Sequence, residues 1–285
     1  MARLFGLIGN RADLAGRLLS AEQEILLVRR HGPQAGWGVG FYQGGEVLMR
    51  RRPLDDRDVI DMALNASDIR ADLVLGHVRS ATVGTLRTEN THPFRYRQWL
   101  FAMTGTLSAF DLIRDRVYES VPEFLRSSIR GETDAELLFY VFLSFIHDAG
   151  RLTEATMSPN HVRDALRSSL SVVDGMAAEV GGDRCAINIL ASDGERIYAL
   201  AGGAPMATRV YAGKADADAL IGEDLGLRRK TPELDQMHFT LIAGDFDDAS
   251  FLRPEPPAAS SPWKSIPERA IVTAERGKDL HIERA

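Results

Sequence analysis

The apolar run at residues 4–8, closed by Gly9-Asn10, reads as a strand that starts almost at the first residue. Chain termini are ordinarily loose. A strand here pins the beginning of the chain down. The segment 36–51, GWGVGFYQGGEVLMRR, then reads as two strands joined at Gln43-Gly44-Gly45, a hairpin signal. Gly36, Gly38 and Gly40 alternate with Trp37, Val39 and Phe41, which puts the glycines on one face. A face without side chains admits another backbone or a ligand at close range.

Helical spacing predicts helices over 12–29, 56–66, 133–147 and 160–180. The third is apolar on most faces and is expected to lie sandwiched in the core. Strands are expected at 72–78, 98–103, 206–211, 238–243, 270–273 and 280–282, with a hairpin around Ser192-Asp193-Gly194. The Pro-rich stretch 253–262 reads as a loop and not as a boundary, because the 23 residues after it cannot form a core of their own. Hairpins with interspersed helices argue for α+β architecture in one domain, 1–285.

Composition narrows the function. Of 285 residues, 45% are apolar and 26% charged, and 34 basic against 40 acidic residues leave a net charge of −6. Nothing in that balance predicts a nucleic-acid or anionic-membrane partner. The lone Cys185 excludes a disulfide framework and a multi-cysteine zinc site; it sits in an apolar strand and reads as core. His31, His147, His161, His238 and His281 show no metal-ligand spacing. Arg50-Arg51-Arg52 and Arg228-Arg229-Lys230 read as solvated patches. No run reaches the roughly 18 apolar residues of a membrane span, and the apolar start is too short for a signal-peptide core. A cytoplasmic location is expected.

Four clusters gather polar groups at predicted strand ends or helix starts: HVRSATVG (77–84), NTHPF (90–94), Met103-Thr104-Gly105-Thr106, and Glu132-Thr133-Asp134. Arg79 offers a planar fork of donors suited to a carboxylate. Gly105 could present a backbone N–H to an oxyanion. Each cluster alone has an ordinary explanation: a surface arginine, a loop histidine packed on Phe94, a turn, and Thr133 as the N-cap of a helix with Asp134 at its positive end.

Taken in order, MARLFGLIGN, AGWGVGFYQGG, LGHVRSATVG, NTHPF, FAMTGTL, GETDAELL, AINILASDG and SSPWKSIP resemble the class II glutamine amidotransferases, in particular their small stand-alone branch. The matches span nearly the whole chain. The resemblance implies an N-terminal-nucleophile hydrolase fold, a four-layer αββα sandwich with two antiparallel sheets. It also implies a pocket around the chain's beginning, where the residue after Met1 is a cysteine nucleophile and its free α-amine the base. Here that residue is Ala2. The family's Asn-Gly oxyanion pair, usually after His, is matched by Thr104-Gly105 after Met103. The resemblance further implies that Arg79 holds the glutamine α-carboxylate and Asp134, beside Thr133, its α-ammonium. Thr82, His92 and Gly105 would line the pocket, and Trp37 and Gly38 would shape its wall.

Two readings follow. In one, the protein is a pseudoenzyme that binds glutamine or a γ-glutamyl compound without cleaving it. In the other, it is a hydrolase or amidotransferase with a non-cysteine mechanism. A scaffold with a vestigial pocket is the plainer alternative. No metal or cofactor is expected. A protein partner or a homo-oligomer is left open.

Overall fold

The computed structural model describes residues 2–29, 35–80, 82–150, 152, 157–224, 234–246 and 261–285. His31, the 228–230 patch and most of the Pro-rich stretch lie outside them, as does Met1. The first half of the chain runs β1 (Arg3–Gly9), α1 (Ala15–Ala21), α2 (Gln23–Leu26), β2 (Leu27–Arg29), β3 (Ala35–Gln43), β4 (Glu46–Asp55), β5 (Val59–Asp61), α3 (Met62–Ala66), β6 (Leu73–Ser80), β7 (Phe94–Tyr96) and β8 (Trp99–Thr104). Four helices follow: α4 (Phe110–Ser120), α5 (Glu123–Arg126), α6 (Asp134–Asp148) and α7 (Pro159–Glu179). The remainder is β9 (Asn188–Ser192), β10 (Arg196–Ala201), β11 (Met206–Ala212), α8 (Gly213–Ile221), β12 (His238–Gly244), β13 (Lys264–Ser265), β14 (Ala270–Glu275) and β15 (His281–Arg284).

One sheet has the order β13-β11-β12-β1-β6-β3-β4 and the other β15-β14-β10-β9-β8-β7. Their described pairings are antiparallel. The side-chain period of two sorts each strand's residues between layers. Phe5 and Leu7 of β1 pack with Leu18 of α1, Met62 of α3 and Leu220 of α8. Leu4 and Ile8 face the other way and meet Leu100 of β8, Leu190 of β9 and Ile197 of β10 between the sheets. The far face of the second sheet, with Phe101 and Ile189, packs on Ile113 of α4, Phe139 of α6 and Leu166 of α7. The layers are therefore α, β, β, α, the expected fold class.

β1 lies in the middle of its sheet, between β12 and β6. All seven of its residues are buried. The β3–β4 hairpin turns at Gly44 and Gly45, with φ of 62° and 82°, the left-handed pair of a tight two-residue connection. Helix α6 follows its expected boundaries closely. The Thr133 side chain caps it by accepting from the Glu136 N–H, and most of its residues are buried.

Two helix expectations are corrected. The stretch 12–29 is not one helix: Leu27 turns extended (ψ 128°) and opens β2, which pairs with β5. The stretch 56–66 likewise begins as β5, with only Met62–Ala66 helical. Val28 and Ile60 sit opposite each other in that small ribbon, a non-local pairing that local apolar spacing does not reveal.

Candidate functional site

The inter-sheet layer is apolar over most of its length and turns polar at one end. Along β6, Leu73 and Leu75 belong to the inter-sheet core, and the same parity brings His77 and then Arg79. Along β8, Leu100 and Ala102 are followed on the same face by Thr104. Arg3 pairs with Val78 and Leu4 with His77, and continuing that register sets Ala2 beside Arg79. The head of β1 thus lies with the ends of β6 and β8, and the polar residues there come from β6 and β8.

A cavity of about 260 Å³ occupies this end. Ala2, Thr104 and Gly105 line it, and so do Arg79, Thr82, His92, Thr133 and Asp134. These eight come from five separate stretches of sequence. Trp37 and Gly38 are not among the lining residues. The Trp37 indole N–H donates to Asp55 at 2.9 Å, and the ring packs toward the outer helices. A Cβ on Gly38 would lie 2.0 Å from the His92 carbonyl oxygen, so this glycine lets the His92 backbone close against β3.

The lining also includes Ala135 and five members of the clusters at 77–84 and 103–106 for which no site role is expected from the sequence: His77, Ser80, Val83, Met103 and Thr106. His77 was accessible from the sequence, because a residue two positions from Arg79 on a strand shares its face. A wider groove of about 960 Å³ adjoins the cavity and shares Thr82, Val83 and Thr106 with it. The Thr82 and Thr106 hydroxyls, 2.9 Å apart, bridge the loop after β6 to the turn after β8.

Arg79 is 4% exposed. Its Nη1 donates to the Thr85 carbonyl at 3.0 Å, and its Nη2 to those of Val83 and Gly84. It therefore anchors the 82–85 loop as well as lining the cavity. Asp134, also 4% exposed, accepts the Leu107 N–H on Oδ2 at 2.8 Å. Burial pushes its carboxyl above the usual range, opposed by the backbone N–H groups and by Arg79. An arginine and a carboxylate on one small cavity can together satisfy a zwitterion.

His77 and His92 stack with ring centroids 4.2 Å apart. His92 also packs on Phe94, at 4.5 Å. Its Nδ1 accepts the Met103 N–H at 3.1 Å, so its ring proton sits on Nε2. Burial, helped by the Arg79 charge, drives His77 down to about 3. Burial and its charged neighbours lower His92 well below the usual imidazole value. Both rings are neutral at physiological pH. His77 Nδ1 and Thr104 Oγ1, each buried, have no hydrogen-bond partner among the described residues.

Cys185 lies outside the cavity. It is fully buried, accepts the Ser108 N–H, and burial raises its thiol to about 11, which keeps it in the unreactive form. Among the described residues, no group of three or more His, Cys, Asp or Glu is placed to hold a metal ion, and no helix is long and apolar enough to cross a membrane.

A buried strand at the start of the chain, a four-layer sandwich around it and a polar cavity at its head define the class of protein. Residues 1–243 match the family model for class II glutamine amidotransferases, and the chain belongs to that family. Among curated proteins it is 29% identical over 121 residues to the "Probable glutamine amidotransferase DUG3" of Saccharomyces cerevisiae, covering 40% of this chain and 34% of that one. It is 30% identical over 131 residues to the gamma-glutamyl-hercynylcysteine sulfoxide hydrolase of Mycobacterium tuberculosis, covering 42% and 56%. The matches thus span about a third to somewhat over half of these relatives' own length. In structure, it resembles a predicted glutamine amidotransferase of Pseudomonas aeruginosa, with a TM-score of 0.59, 21% identity and 98% of each chain covered.

Proposed function

We propose that this protein binds glutamine, or a γ-glutamyl compound, in the cavity at the head of β1 and does not cleave it by the cysteine route of the class. The observation that carries the reading is the meeting of Arg79, Asp134, Ala2 and Thr104 on one cavity. In this reading Arg79 takes the ligand's α-carboxylate and Asp134 its α-ammonium, with Thr133, Thr82 and His92 around them. The ligand's γ-carbonyl then points toward Ala2, Thr104 and Gly105.

Cleavage in this class requires a thiolate at the second position to attack the amide carbon. The methyl group of Ala2 has no lone pair to attack with. The developing oxyanion would meet the Thr104 hydroxyl and the Gly105 backbone, in place of an asparagine amide and that backbone. Loss of one oxyanion donor alone costs about 10²–10³ in rate. Binding survives both changes, because the groups that take the zwitterion lie elsewhere on the lining. The reading treats residues 1–285 as one unit in the cytoplasm, with no metal or cofactor. A protein partner or a second copy of the chain is compatible with it.

The test pairs ammonia release from glutamine with a calorimetric titration of the purified protein. Binding without ammonia release is the expected outcome, and Asp134→Asn abolishes the binding. Steady ammonia release that Arg79→Ala removes would replace the reading with a non-cysteine hydrolase; absence of both binding and release would leave a scaffold. The double variant Ala2→Cys, Thr104→Asn is expected to gain measurable glutaminase activity. Persistent inactivity would mean that the cavity has lost more than these two groups.

A further inference from the structure

The groove of about 960 Å³ meets the cavity at its Arg79–Asp134 end. Val83, Gly84 and Thr85 line the groove, and their carbonyls take the Arg79 guanidinium. Leu107, also on the groove, gives its N–H to Asp134. Ala2, Thr104 and Gly105 line the cavity and are not among the groove's residues. The space beyond the cavity therefore adjoins the α-end of a bound glutamine and not its γ-end. We propose that the ligand is a peptide whose first residue is glutamine and whose second is apolar, the first in the cavity and the second in the groove. This rests on the glutamine-binding reading above and names the class of ligand within it.

The state of Arg79 points to a peptide bond in place of a free α-carboxylate. An arginine grips a carboxylate through two adjacent N–H groups, and both such faces of a guanidinium use Nη2. Here Nη2 already donates to the Val83 and Gly84 carbonyls, and Nη1 to that of Thr85. The N–H groups that remain suit one acceptor oxygen, which is what a peptide carbonyl presents. Asp134 still meets an α-ammonium, because a peptide keeps the one on its first residue.

Charge and polarity agree. Among the side chains lining cavity and groove, Arg79 and Arg114 stand against Asp111, Glu132 and Asp134, one negative charge in excess. Free glutamine is a zwitterion and leaves that excess unmet. A glutamine-headed peptide that continues as neutral amides carries one positive charge and meets it. Leu107 and Phe110, both buried, and Leu112, 67% exposed, give the groove an apolar lining for the second side chain. The Thr82 and Thr106 hydroxyls line both spaces and offer a donor and an acceptor to the peptide bond that passes between them.

The experiment is isothermal titration at pH 6.5, where a peptide's α-amine is protonated. The ligands are L-glutamine, freshly dissolved L-glutaminyl-L-leucinamide, and L-leucyl-L-glutaminamide, which has the same atoms and charge in the reverse order. Wild type is expected to bind glutaminyl-leucinamide about tenfold or more tighter than either of the others. Leu112→Asn is expected to weaken that peptide about threefold or more. Glutaminyl-leucinamide within about twofold of glutamine or of the reversed peptide overturns the inference and leaves the binding reading intact. Undiminished peptide affinity in Leu112→Asn also overturns it, since the second residue then lies outside the groove. If wild type binds none of the three, both fall. The wild-type ratios decide the matter even where the variant does not fold.

Discussion

At the scale of single residues, the two stacked histidines carry the clearest consequence. The unfolded chain takes up a proton on each near the ordinary imidazole value of about 6.5, whereas the folded chain holds His77 neutral until about 3 and His92 well below its usual range. Below pH 6.5 the unfolded state therefore binds more protons, and stability falls as pH falls. Each ring contributes a slope of up to about 1.4 kcal/mol per pH unit in that window. Urea unfolding at pH 7, 6 and 5 is expected to show this decline, with a shallower slope in His77→Phe. An unchanged slope in that variant would contradict the burial argument. Pattern places Arg79, Thr104 and Asp134 at a strand end or a helix start, each with an ordinary explanation of its own, and it is the resemblance that groups them on the one cavity they line. The stacking of His77 on His92 was not legible in the sequence, since the two rings are brought together by strands distant in sequence.

At the scale of elements, β3 shows what its alternating glycines accomplish. Gly38 faces the His92 carbonyl and Gly40 lies against Pro93 and Leu100. The bare face was readable from the sequence, but what approaches it was not: Gly36 meets the Pro53 and Arg52 carbonyls, Gly38 the His92 carbonyl, and Gly40 the side chains of Pro93 and Leu100. Gly38→Ala forces a Cβ to within 2.0 Å of the His92 carbonyl oxygen. It is expected to cost about 1–3 kcal/mol, as overpacking does, and to displace His92 from the cavity wall. A chemical-denaturation midpoint unchanged by this substitution would rule the close approach out. The misread helices have the same root. The pairing of β2 with β5 is settled about thirty residues away, and local apolar spacing competes poorly with such a contact.

At the scale of the whole molecule, the two sheets share a continuous apolar interior from Ile8 and Leu73 up to Leu4 and Ala102. Beyond that boundary the same faces carry His77, Arg79 and Thr104. The cavity is in this sense a gap in the hydrophobic filling, maintained at the expense of cohesion. Thr104→Val removes a hydroxyl that no other group satisfies and substitutes a methyl of nearly the same shape. The variant is expected to resist unfolding better than wild type, by about 1 kcal/mol, while responding more weakly to glutamine in a thermal-shift titration. Selection for robustness alone would seal this end of the sandwich, so a sealed variant that outlasts the parent would measure what it costs to line the chamber with polar groups.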